Sequence, residues 1–164
     1  MNLYSNQVNP VTITDSLAYF IDQKPENSDF LEAVVHGLSQ SPKTIPAKYF
    51  YDETGSNLFN QICETPEYYV TRTEIALLNK YGSEIASIVG GASNIIEYGC
   101  GSSIKINTLL SALDRPAEYL AIDISREHLI ETAKSVAKKF PAVKVGALCA
   151  DFMSTIKLPK EFGS

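Results

Sequence analysis

No apolar run in this chain of 164 residues approaches the roughly 20 that a membrane-spanning helix needs. The stretch from Met1 to Pro10 has neither the basic head nor the apolar block of a secretory signal, so the cytoplasm is the expected compartment. Cysteine is scarce: Cys63, Cys100 and Cys149 are odd in number, widely spaced and without a C-x-x-C pair. That pattern argues against a disulfide framework or a zinc site and for three reduced packing thiols. Histidine is scarcer, with His36 beside an apolar stripe and His128 far from it, so no metal ligand set is expected. An excess of positive charge is also missing. The net charge is −5 and the pI about 5.0, which disfavours a general nucleic-acid surface, and Lys134, Lys138 and Lys139 read as a solvated helix end. There is no internal repeat, low-complexity stretch or flexible linker.

With 45% apolar residues the chain can bury a core of its own, and its pattern falls into two parts. The first, residues 1–91, reads as mostly helical. Ser28 precedes Phe30, Leu31, Val34, Val35 and Leu38, spaced for a helix that docks one face, and Ser41-Pro42 stops it. Tyr49-Phe50-Tyr51-Asp52-Glu53-Thr54-Gly55-Ser56 reads as an aromatic–acid–glycine turn, with Ser56 capping a helix that carries Leu58, Phe59 and Ile62. A second aromatic knot, Pro66-Glu67-Tyr68-Tyr69, leads to Thr71-Arg72-Thr73-Glu74, the pattern of a capping box, opening a helix that ends near Gly90-Gly91. From spacing alone the tyrosines read as half-buried packing residues.

The second part, residues 92–164, reads as strands and helices in alternation. Asn94-Ile95-Ile96 runs into Glu97-Tyr98-Gly99-Cys100-Gly101-Ser102-Ser103, a strand closing on an acid and followed by a glycine turn. Gly99 and Gly101 let the backbone turn sharply and let a ligand approach the main chain without meeting a Cβ. About twenty residues on, Glu118 to Asp123 reads as a second strand with an acid at its C-terminal end, the spacing at which a carboxylate meets ribose hydroxyls. A third strand, Val143 to Leu148, is followed by Asp151 and Phe152, a carboxylate for an adenine amino group and an aromatic to cover its ring. A dinucleotide fingerprint would want glycine at position 104, where this chain has Ile104, and no Gly-Lys-Ser/Thr of a phosphate-cradling loop occurs. NAD, FAD and nucleoside triphosphates are thereby disfavoured. S-adenosyl-L-methionine, whose sulfonium is cationic and which carries no phosphate, suits the three acids.

Three segments taken together are more specific. Pro42 to Asp52, then Gly55-Ser56-Asn57-Leu58-Phe59, then Pro66 to Glu74 resemble the opening of the histidine-specific N-α-methyltransferase family, whose members make trimethylhistidine for ergothioneine biosynthesis. The likeness continues through Glu97 to Lys105, Ile122-Asp123 and Asp151-Phe152, covering roughly residues 40 to 153. It implies that Gly99 lies against the methionine part of the cofactor, with Lys105 near its carboxylate. It further implies Asp123 on the ribose, Asp151 with Phe152 at the adenine, and Tyr68 facing the cofactor. Tyr51 would approach the amine being methylated and Phe59 would wall the substrate pocket. The family's Gly-Ser-Gly-Thr-Ser is here Gly99-Cys100-Gly101-Ser102-Ser103. Family members run on for about as many residues again, in a region that holds the histidine's carboxylate and imidazole.

The expectation is an α/β, Rossmann-like methyltransferase sheet with its strands in the order 3-2-1, preceded by a helical region that contributes to the substrate and cofactor pocket. Residues 92–164 would be the first half of the cofactor-binding domain. The implied chemistry is displacement of the sulfonium methyl by an uncharged amine. Tyr51 would hold the amine, or a water that takes its proton, without being an obligatory base. L-Histidine is the first substrate; another amino-acid amine, such as a tryptophan derivative, and a non-catalytic cofactor-binding fragment are the alternatives. In such a sheet the strand Asn94 to Tyr98 would have a bare edge, so the chain alone is expected to self-associate or be partly unfolded and to transfer no methyl.

Overall fold

The structure, a computed structural model, describes residues 16–23 and 30–164; Ser28, read as the start of the first helix, lies outside the described residues. In chain order the elements are β1 (Tyr19–Asp22), α1 (Phe30–Ser39), a 3-10 turn (Ala47–Phe50), α2 (Glu53–Glu64) and α3 (Val70–Val89). They continue with β2 (Asn94–Tyr98), α4 (Ile104–Ala112), β3 (Glu118–Asp123), α5 (Arg126–Lys139) and β4 (Lys144–Cys149). The four strands form one parallel sheet in the order β1-β4-β3-β2. The three strands read from the sequence therefore lie in the expected 3-2-1 order. The register aligns Asn94 with Glu118 and Glu118 with Lys144, so the C-terminal ends of β2, β3 and β4 share one edge.

A parallel sheet is flanked on both faces, so its strands read as continuous apolar runs, and all six residues of β3 are buried. Alternate residues point to opposite faces. Tyr119, Ala121, Val145 and Ala147 pack with Phe20 against Leu129, Ala133 and Val136 of α5 and against Ile106 and Leu110 of α4. Leu120, Ile122 and Leu148 face the other way, with Tyr19 and Ile21, and meet Ile156 and Phe162 of the C-terminal segment. Helix α3 stacks on α4, where a Cβ at Gly82 would stand 2.9 Å from that of Ala112.

Strand β1 was not expected in a region read as helical. It pairs in parallel with β4, Tyr19 opposite Gly146, and a Cβ at Gly146 would collide with the Tyr19 ring. The Tyr19 hydroxyl donates to Glu118 Oε1 at 2.7 Å, the Gly163 N–H donates to Glu118 Oε2 at 2.7 Å, and Lys144 Nζ lies 3.5 Å from Oε1. Burial, reinforced by Glu118, pushes the Tyr19 hydroxyl far above its usual pKa, so it stays a donor to a buried acid.

Three local expectations are corrected. Ser56 does not cap α2: the helix starts at Glu53, and Asp52 caps it by accepting from the Gly55 N–H at 2.7 Å. Gly55 sits so close under the Phe50 carbonyl that a Cβ would collide with it, which explains a glycine in the first turn. The capping box does not form either. Helix α3 opens at Val70 after Tyr69 with no side-chain cap, and Glu74 instead meets Lys105, Nζ to Oε2 3.1 Å. Arg72 of the same motif donates to the Thr65 and Pro66 carbonyls at 2.7 and 2.6 Å, clamping the α2–α3 connection. Finally, the apolar stripe of α1 does not dock among the described residues. Phe30, Leu31, Val35 and Leu38 are exposed, and the ring contact of Phe30 with Tyr49, centroids 4.8 Å apart, is edge-on.

Candidate cofactor and amine site

Parallel α/β sheets bind ligands beyond the carboxyl ends of their strands, where helix N-termini and loops converge. At the end of β2 the chain turns through Gly99 and Gly101, whose φ angles of 73° and 39° belong to the left-handed region that glycine adopts without strain. The turn is held from behind. The Gly99 N–H donates to the Ile122 carbonyl at 2.8 Å, and the Gly101 carbonyl accepts from Thr132 Oγ1 at 3.0 Å and from His128 Nε2 at 2.9 Å. Because a carbonyl can only accept, His128 Nε2 is the donor in this bond. His128, expected to hold no metal, thus anchors the glycine loop from α5.

Asp123 ends β3 buried, its Oδ1 accepting from the Ser125 N–H at 2.9 Å. Among the described residues its Oδ2 meets the Cys100 thiol, 3.8 Å away, a weak donor. Burial, followed by the charges of Asp123 and Glu97, pushes the Cys100 thiol well above its usual range, so it remains protonated and inert. Glu97 accepts from the Tyr119 hydroxyl at 2.6 Å. Burial raises the Glu97 carboxyl, while Tyr119 and Lys105 lower it in part. Lys105, in the first turn of α4, pairs with Glu74 of α3 near Glu97 in β2.

At the end of β4, Asp151 Oδ1 accepts from the Met153 N–H at 2.9 Å, and Lys48 Nζ lies 3.8 Å from Oδ2. Phe152 stands edge-on to Tyr98, centroids 6.2 Å apart, and a Cβ built on Gly99 would come within 3.8 Å of its ring. The glycine turn and the aromatic therefore border the same space. Tyr51 is half exposed, and its backbone carbonyl accepts from the Ser125 hydroxyl. Phe59 and Tyr68 meet each other edge-on, centroids 5.7 Å apart, and α2 packs against both α3 and α5.

The structure thus gathers Gly99, Gly101, Asp123, Asp151 and Phe152 at adjacent strand ends and ties Tyr51 to the β3 loop, while Lys105 sits with Glu74. The sequence reading missed Lys48, Ser125, Thr132 and Arg72. Lys48 and Arg72 stand inside motifs singled out for other residues, and Ser125 stands where a helix-capping serine is expected two residues after Asp123. The donor set suits S-adenosylmethionine. Asp123 keeps acceptor capacity for a hydroxyl pair, the acids complement a cation, and the turn admits close approach to its backbone.

A family model described as "Histidine-specific methyltransferase, SAM-dependent" matches residues 30–163. The chain belongs to this family. It is 35% identical over 144 residues to the histidine N-alpha-methyltransferase of Mycolicibacterium smegmatis, covering 85% of this chain and 44% of that protein. To the protein of that name from Mycobacterium tuberculosis it is 38% identical over 122 residues, 73% of this chain and 38% of the relative. A 4-dimethylallyltryptophan N-methyltransferase of Claviceps purpurea is 32% identical over 125 residues, 74% and 36% of the two chains. The chain thus spans less than half the length of these relatives. Among the described residues, no helix is long and apolar enough to cross a membrane.

Proposed function

We propose that this chain binds S-adenosyl-L-methionine at the ends of β2, β3 and β4 and serves the N-methylation of the α-amine of L-histidine. The observation that carries the reading is the alignment of the Gly99–Gly101 turn, Asp123 and Asp151 on one sheet edge, with the Tyr51 turn tied to Asp123's neighbour Ser125. In this reading Gly99 and Gly101 meet the methionine part, Lys105 its carboxylate, Asp123 the ribose hydroxyls, and Asp151 with Phe152 the adenine, with Tyr68 facing the cofactor. The cofactor supplies an electrophilic methyl on a cationic sulfur. Residues 92–164 provide its strands, and residues 1–91 contribute the amine side.

What this chain's residues do is position. Holding amine and methyl in near-attack geometry lowers the barrier by about 7 kcal/mol in favourable cases, with no covalent intermediate. Tyr51 holds the amine or a water that accepts its proton, and its ring face tolerates the charge that grows with each methyl. Phe59, against Tyr68, walls the pocket. The compartment proposed is the cytoplasm, supported by three unpaired thiols.

A second substrate reading, the amine of a tryptophan derivative, is favoured by the likeness to the Claviceps protein. A protein of the relatives' full length that carries this chain, incubated with S-adenosylmethionine and a panel of free amino acids, separates the two. Mass spectrometry should find mono-, di- and trimethylated histidine; methylation confined to tryptophan derivatives overturns the histidine reading, and no methylated product from any amine overturns both.

A further inference from the structure

Ser125 occupies the N-cap of α5, where a serine oxygen ordinarily accepts from a backbone N–H of the first turn. Here it makes no capping bond. Its hydroxyl donates to the Tyr51 carbonyl, 74 residues earlier in the chain, while its N–H donates to Asp123 Oδ1. One residue therefore touches the acid at the end of β3 with its backbone and the aromatic turn with its side chain. The same short segment has a second tie, since Lys48 Nζ lies 3.8 Å from Asp151 Oδ2 at the end of β4. Between these ties runs only a single 3-10 turn, in which the Tyr49 N–H donates to the Pro46 carbonyl at 3.2 Å. These two ties to the strand-end loops add to the ring contact of Tyr49 with Phe30 of α1 and to the cap that Asp52 gives α2.

The geometry points to Ser125 as a positioning residue that couples occupancy of Asp123 by the cofactor to the placement of Tyr51, an inference that rests on the reading of Asp123 above. A carboxylate fixed by ribose hydroxyls holds the Ser125 amide in place, and the Ser125 hydroxyl then holds the Tyr51 backbone. Cofactor binding thereby orders the amine side through a bond that involves no substrate. Ser125→Ala isolates this link, because the backbone bond to Asp123 is kept and the hydroxyl does not cap the helix. Ser125→Thr retains the hydroxyl.

Amide hydrogen exchange on the chain, with and without S-adenosylhomocysteine, tests the coupling. In the wild type the ligand should slow exchange at residues 99–101, at 123–125 and at 47–52. In Ser125→Ala the first two segments should still respond. Residues 47–52 should exchange about 3- to 10-fold faster than in the wild type, the equilibrium weight of one hydrogen bond, and should ignore the ligand. Ser125→Thr should restore the wild-type response. Equal protection of 47–52 in the wild type and Ser125→Ala would overturn the coupling. So would a wild type in which the ligand protects 99–101 and 123–125 but leaves 47–52 unchanged. A wild type in which the ligand protects none of the three segments would instead defeat the cofactor reading, and the coupling with it.

Discussion

The strand-end loops and the aromatic turn before α2 border the proposed site but are held by different means. Gly99, Cys100, Gly101 and Asp123 are fixed by backbone bonds, by α5 from behind and by a sheet whose central strand is wholly buried. The Tyr51 turn is half exposed and reaches that scaffold through the Ser125 hydroxyl and the Lys48–Asp151 pair. The first region is held by bonds within the chain itself, which suits the proposed cofactor cradle, since ordering it on binding would cost affinity. Damage to the first should therefore appear in cofactor affinity and stability, and damage to the second in turnover.

The largest effect belongs to Asp123. Asp123→Ala removes a charged acceptor and should weaken S-adenosylhomocysteine binding by about 1.5–3 kcal/mol, tenfold or more, in a calorimetric titration. Next is Gly99→Ala. The Cβ it adds meets the Phe152 ring only at ordinary contact distance, 3.8 Å, so the cost is the left-handed backbone at φ 73°, about 1–2 kcal/mol, read as a lowered denaturation midpoint. A loss well below this would mean that the turn relaxes and is not fixed from behind.

Tyr51→Phe should reverse the pattern. Cofactor affinity and midpoint stay, while kcat for amine methylation, measured in a protein of the relatives' full length that carries this chain, falls about tenfold, the weight of one strong neutral hydrogen bond. Wild-type turnover and an unchanged spread of methylated products would assign Tyr51 to packing. The smallest effect is that of Glu97. Its carboxyl is raised from 4.5, chiefly by burial, so the folded state holds the proton more tightly than the unfolded state does. The stabilisation from holding that proton is complete below pH 4.5 and is lost as pH rises through the elevated folded value. Glu97→Gln removes this dependence. The variant's midpoint should gain on the wild type as pH rises above 4.5, and a gap that shrinks over that range would show that the Tyr119 and Lys105 contacts outweigh burial.

The same contrast governs what the sequence disclosed. The strands Asn94–Tyr98 and Glu118–Asp123 were legible to the residue, and β4 to within one, because apolar runs ending in acids and glycines are local signals. Strand β1 was not legible: four residues long, it is a strand only because β4, more than a hundred residues later, offers it a partner and Glu118 receives its tyrosine. The start of α2 was misread because Gly55 looks like a turn until the Phe50 carbonyl above it is seen. Glu74 was misread because a capping box is a local pattern, and Lys105 competes for its carboxylate from 31 positions away. The acids and glycines at the strand ends were legible. The ties between its halves, through Ser125 and Lys48, were not, since each joins segments far apart in sequence.

The central claim, that the cofactor sits at the ends of β2, β3 and β4, is tested most directly by titrating the isotope-labelled chain with S-adenosylhomocysteine and following its backbone amide resonances. Shifts should concentrate at Gly99 to Gly101, Asp123 to Ser125 and Asp151 to Phe152, with NAD producing none. Resonances that stay in place there, or that move instead around the depression lined by Ser16, Lys134, Lys138 and Pro141, would contradict it.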